Sequence, residues 1–206
     1  MSSSRARTAR AERALATRQR VLAAAAPMFV RNGYVETTMA DIARAAGVAV
    51  QTLYLSFGSK VAVLEATLAT GADNQPNGWL ADVRAEPSGP AALGRYVEHA
   101  TTTVERRFPL DAVLRAAAAD PEPAELLART RRAELAAHGQ ALDELSEKPA
   151  FTTEITVQRA TEIAAALLSH ETYALLVGTQ GWPLQDWADW AARHLAIDLF
   201  PPAQRG

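Results

Sequence analysis

The stretch that most limits what this chain can fold into is "TTMADIARAAGVAVQTLYLSFGSK", residues 37–60, where helix start and stop signals follow one another closely. Thr38 with Asp41 three residues on is a capping-box-like start. Gly47 is a stop, and Gly58-Ser59 breaks and re-caps the chain ahead of Lys60. Only short helices fit between these signals: Met39–Ala46 and about Ala49–Phe57. At about 100° per residue, Ala49, Leu53 and Phe57 fall on one face of the second, Gln51 and Leu55 on the opposite one, and Thr52 and Tyr54 on the flanks. Ile42, Ala45 and Val48 are expected to pack against the apolar face. Two short helices joined by a glycine turn have helix-turn-helix geometry, and the far face of such a helix fits a major groove about 12 Å wide.

Helix is expected throughout. Alanine is abundant, glycine is sparse, and no alternating strand pattern stands out. A first helix is read over Ala14–Arg31, stopped at Gly33, and a fourth over Lys60–Thr70. Loop-rich stretches follow at Gly71–Gly78 and Glu86–Pro90. Beyond them come helices at about 91–107, 110–119, 123–147, 152–168, 171–179 and 184–200, punctuated by Pro109, Pro121, Pro149, Ser169 and Gly181. The expected fold is all-α: a three-helix helix-turn-helix DNA-binding domain, then a larger helical domain for ligand binding and dimerisation. The boundaries are a disordered basic tail at 1–13, the DNA-binding domain at 14–70 with its recognition helix at about 49–57, and the second domain at 71–206.

Charge separates the same two regions. Residues 1–60 hold nine Lys/Arg and three Asp/Glu, whereas the remainder holds twelve basic and twenty acidic groups. A basic head on an acidic body points to a polyanion partner at one end. The chain has no cysteine, which removes disulfides, thiolate zinc sites and Cys nucleophiles. The start, "MSSSRARTARAER", lacks the apolar core of a signal peptide, and no apolar run approaches a membrane span, so a cytoplasmic protein is expected.

The segment "TTMADIARAAGVAVQTLYLSFGSKVAVLEATL" resembles the amino-terminal DNA-binding domain of the TetR family of bacterial transcriptional regulators. Thr38, Ile42-Ala43, Ala46-Gly47-Val48, Thr52-Leu53-Tyr54, Phe57 and Lys60 stand in the family's register, and the resemblance covers about residues 14–70. It departs at Ala49, where a hydroxyl residue commonly caps the recognition helix. The resemblance implies DNA contacts by Thr38, Val50, Gln51, Thr52, Tyr54, Leu55 and Lys60, and chemistry suits each. Thr38, Tyr54 and Lys60 can hold phosphates, while Gln51 can pair with adenine N6/N7. Val50 and Leu55 can touch thymine methyls, so A·T pairs are expected at the contacted positions.

A DNA-reading helix-turn-helix ordinarily works as a dimer across successive grooves. In "PLQDWADWAARHLAIDLF", Leu184, Trp187, Ala188, Ala191, Leu195 and Leu199 make one apolar stripe and Trp190, His194 and Ile197 a second. A helix apolar on two faces buries both, one within its own domain and one against a partner. The resemblance implies that the last two long helices, about 152–200, pair with their symmetry mates, and the interface is assigned to Leu167, Leu168, Leu184, Trp187, Ala191 and Leu195. It also implies an effector pocket in the middle helices, for which Tyr96, His99, Phe108, Leu114 and Leu126 are the candidates. The function expected is a repressor on a palindromic operator, released by a small molecule. The alternatives are a helical interaction module with a basic tail or, less favoured, an enzyme. Against an enzyme, His99, His138, His170 and His194 are dispersed, "HETYA" lacks the second metalloprotease histidine, and neither a Gly-rich phosphate loop nor a nucleophile elbow is present. No cofactor and no metal are expected.

Overall fold

The computed structural model describes residues 2–70 and 78–202, and among these it holds helices and no strand. In chain order they are α1 (Ser2–Glu36), α2 (Met39–Ala46), α3 (Val50–Phe57), α4 (Lys60–Thr70), α5 (Gly78–Ala85), α6 (Gly89–Ala116), α7 (Pro121–Ser146), α8 (Val157–Leu167), α9 (His170–Tyr173), a π-helical turn at Ala174–Thr179, and α10 (Leu184–Leu199).

Several boundaries differ from those read in the sequence. Helix α1 starts at Ser2, so the arginine-rich stretch from residue 2 is helical where a tail was expected. Helix α6 runs through Pro109, because a proline costs a helix one hydrogen bond and a kink, which packing on both sides can offset. Residues 152–155 are not helical, and α8 starts only at Thr156, whose hydroxyl accepts from the Arg159 N–H. Of the loop expected at Gly71–Gly78, residues 71–77 lie outside the described residues.

The chain forms two compact units. One takes in α1 to α4 together with Pro109–Leu127; the other takes in residues 78–108 and 128–202. In the first, α1 packs on α2 and α4, and α2 on α3. Its core holds Val21, Phe29, Ile42, Leu53, Leu64, Leu114 and Leu126, each worth about 1.5–3 kcal/mol for full burial if a large apolar side chain. At Gly33 the backbone turns to φ 77°, ψ 175°, which a glycine adopts without strain. There the buried Thr37 hydroxyl donates to the Gly33 carbonyl at 2.7 Å, directing the chain into α2. In the second unit α8 packs on α10, and the Trp187 indole N–H donates to the Leu167 carbonyl at 3.1 Å. Trp187, Tyr96, Leu93, Leu142, Leu168 and Leu195 lie in its core.

Thr38 caps α2 as the sequence pattern anticipates. Its hydroxyl accepts from the Asp41 N–H at 3.1 Å and donates to the Asp41 carboxylate at 2.6 Å, and that bond with the nearby Arg44 guanidinium holds the carboxyl below its ordinary range. Replacing Thr38 by Ala removes the acceptor for an otherwise orphaned N–H. It should lower the unfolding free energy by about 1 kcal/mol in a urea titration, with Thr38→Ser close to the parent; an Ala variant as stable as the parent would contradict the cap.

Candidate nucleic-acid interface

The two short helices meet at Gly47, whose left-handed backbone (φ 64°, ψ 39°) closes α2. The Gly47 N–H donates to the Arg44 carbonyl at 3.2 Å and the Val48 N–H to the Ala43 carbonyl at 3.0 Å, a Schellman-type end that a side chain at position 47 would strain. Helix α3 then begins without a side-chain cap, since Ala49 has no oxygen to offer. At its far end Gly58 takes φ 81°, and the Ser59 hydroxyl accepts from the Ala62 N–H at 3.2 Å to start α4.

Leu53, fully buried, is the only residue of α3 inside the core, and Phe57 is half-buried. Val50, Tyr54 and Leu55 are 40%, 50% and 86% exposed, and Gln51 and Thr52 are exposed beside them. The five α3 residues expected to contact DNA therefore stand together on the solvent side of one helix. Ala45 and Ala49, expected in the packing between the helices, are exposed; Ala43 and Ala46 take that place. An alanine's methyl group gives so little periodic signal that a one-residue error in face is easily made.

The two expected phosphate ligands at helix starts are both engaged within the unit. Thr38 serves its cap. Lys60 is half-buried; its ammonium donates to the Tyr34 carbonyl at 2.7 Å and the Val35 carbonyl at 3.2 Å and lies 4.2 Å from the centre of the Tyr34 ring. Burial lowers its pKa, opposed by Asp120 and Glu36. A cation on the last carbonyls of α1 satisfies acceptors that a helix end leaves open. Arg18 is likewise held over the Phe57 ring at 4.3 Å, joining α1 to α3. Neither contact was readable from spacing, because each links residues far apart in sequence.

The remaining candidates need correction. Leu114 and Leu126 belong to the core of the first unit, with Phe29 and Ile42, and Tyr96, His99 and Phe108 to the second, so the five do not line one cavity. In the second unit the side chains meet unforeseen partners. The Tyr96 hydroxyl and His138 Nδ1 share a hydrogen bond of 2.6 Å, His99 stacks on Trp79 at 4.5 Å, and Phe108 stacks on His170 at 4.5 Å beside Tyr173 at 4.7 Å. Burial raises the Tyr96 pKa and pushes that of His138 down to about 4.

The interface residues are corrected too. Leu168, Trp187, Ala191 and Leu195 are sealed in the core of their own unit against Ala160 and Ala164, and so offer no surface to a partner, while Leu167 and Leu184 are half-buried. The stripe that faces outward is the other one, with Trp190 half-buried, His194 exposed and Ile197 66% exposed. Among the described residues no three His, Asp or Glu side chains gather as a metal site, and no helix is long and apolar enough to cross a membrane.

Residues 21–67 match the sequence pattern of the bacterial regulatory proteins of the tetR family. Over 54 residues the chain is 45% identical to TtgW of Pseudomonas putida, an uncharacterized HTH-type transcriptional regulator; the match covers 26% of this chain and 40% of that relative. The fold is similar over nearly the whole chain to NalD, the secondary repressor of the MexAB-OprM multidrug efflux pump in Pseudomonas aeruginosa (TM-score 0.70, 19% identity, 92% of this chain and 98% of that one). It is similar also to the transcriptional regulator FadR from Bacillus subtilis, crystallised with stearoyl-CoA (TM-score 0.70, 16% identity, 87% of this chain and 98% of that one).

Proposed function

Because this chain belongs to the TetR family of bacterial transcriptional regulators, whose pattern its residues 21–67 carry, we propose that it is a DNA-binding repressor that reads a palindromic operator as a homodimer and leaves it when a small molecule binds the second unit. The observation that carries this reading is the exposed face of α3, on which Val50, Gln51, Thr52, Tyr54 and Leu55 stand clear of the core on a helix anchored by Leu53. An outer face of one amide, two hydroxyls and two aliphatic groups is suited to base edges. Gln51 offers a bidentate contact to adenine, Val50 and Leu55 meet thymine methyls, and Thr52 and Tyr54 on the flanks reach the sugar-phosphate backbone.

Thr38 serves at the edge of the groove through the α2 end it caps, and Lys60 reaches a phosphate only by leaving the Tyr34 and Val35 carbonyls. Residues 14–70 are the DNA-binding part and 71–206 the effector and dimer part, with α8 and α10 pairing across a two-fold axis. The stearoyl-CoA bound to FadR supports a ligand-responsive second unit without naming this chain's effector. Such a protein works in the cytoplasm and catalyses no reaction.

The test is selection of bound duplexes from a random pool. The parent should enrich a palindrome with A·T pairs at the contacted positions, and Gln51→Ala should relax one of them by about 1–3 kcal/mol of discrimination with its unfolding midpoint unchanged. An unchanged preference would remove Gln51 from the reading role, and no enrichment at all would overturn the function.

A further inference from the structure

The outward face of α10 carries both signs of charge in a self-complementary order. At about 100° per residue, Asp186 and Arg193, seven positions apart, lie on the same line along the helix, about two turns from each other. Both border a groove of about 270 Å³ whose other walls are Trp182 and Asp189. Both are exposed, and among the described residues neither has an ion-pair partner, while Asp189 accepts from the Gln185 side chain at 2.8 Å. The apolar residues of this face are Trp190, packed edge-on against Trp182 at 6.3 Å, and Ile197.

We infer that the occupant of this groove is a second copy of the chain, its α10 antiparallel to the first, with a two-fold axis passing between residues 189 and 190. This rests on the dimeric reading above and adds its register. About that axis Arg193 stands opposite the second copy's Asp186, and the symmetry repeats the pair on the other side. Ile197 comes against the second copy's Trp182, and the two Trp190 side chains lie beside the axis. Parallel pairing of the two helices sets Asp186 on Asp186 and Arg193 on Arg193, which like-charge repulsion disfavours. The charges thus select one orientation, and the indoles and Ile197 supply the apolar contact.

Sedimentation equilibrium of the full chain tests the register, with far-UV circular dichroism melting to confirm folding of each variant. In D186R the facing positions are both arginine, and in R193D both aspartate; each should raise the dimer dissociation constant about tenfold or more. In the double variant D186R/R193D the pairs re-form with signs exchanged, and the constant should return to within about threefold of the parent. A dimeric parent that neither single variant weakens, or that the double variant fails to restore, overturns the register and leaves the dimer standing. A monomeric parent at micromolar concentration overturns the dimer itself.

Discussion

Leu53→Ala should cost the amino-terminal unit about 2–5 kcal/mol and with it at least about tenfold in affinity for operator DNA, although the side chain touches no DNA in the reading given above. Helix α3 has eight residues, too few to hold helical structure alone in water, so its place depends on tertiary contacts. Leu53 is its only buried side chain. Truncation removes the anchor and leaves a cavity among Ile42, Leu64 and their neighbours in that core. The matched control is Leu55→Ala, the same change two residues on. Leu55 is 86% exposed, and its loss should alter stability by less than about 0.5 kcal/mol while changing which duplexes are preferred. Chemical unfolding and binding titrations on both variants decide the matter: equal destabilisation by the two, or none by Leu53→Ala, would show that α3 is held by something else.

The second large effect concerns pH. The His138 imidazole, packed in the second unit with its Nδ1 on the Tyr96 hydroxyl, takes up its second proton only near pH 4 because burial disfavours the charge. In the unfolded chain the same group titrates near 6.5. Between these values the unfolded state binds more protons than the folded one, so stability falls as pH drops through the window and levels off below about 4. Above about 6.5 both states are neutral at this group, and it confers no pH dependence. The full loss amounts to about 3 kcal/mol. Urea midpoints between pH 7 and pH 4.5 should show the decline in the parent and a much flatter profile in His138→Gln. A parent slope that survives this substitution would assign the dependence to other groups.

The sequence was most informative where a residue's role depends on its near neighbours. The Thr38 cap, the Gly47 turn, the Ser59 restart and the inward Leu53 all follow from residues within four positions of each other, and each is present as read. It misled where the outcome depends on residues distant in the chain. Periodicity gave α10 two apolar stripes but could not say which one turns inward. The answer came from the small Ala160 and Ala164 of α8, which leave room for Trp187. Leu114 and Leu126 look in sequence like part of the central helices, yet residues 109–127 fold with the amino-terminal unit. The Tyr96–His138 bond spans 42 positions, and no spacing rule proposes it.

The cations of the amino-terminal unit carry a consequence for how tightly DNA binding follows ionic strength. The salt dependence of such binding counts the ions released when phosphates are neutralised, and only side chains free to reach a phosphate enter that count. Lys60 is committed to two carbonyls, Arg18 to an aromatic face and Arg44 to Asp41. One third of the nine basic side chains in residues 1–60 are thus internal fasteners, and the polyelectrolyte valence of this head is smaller than its formal charge.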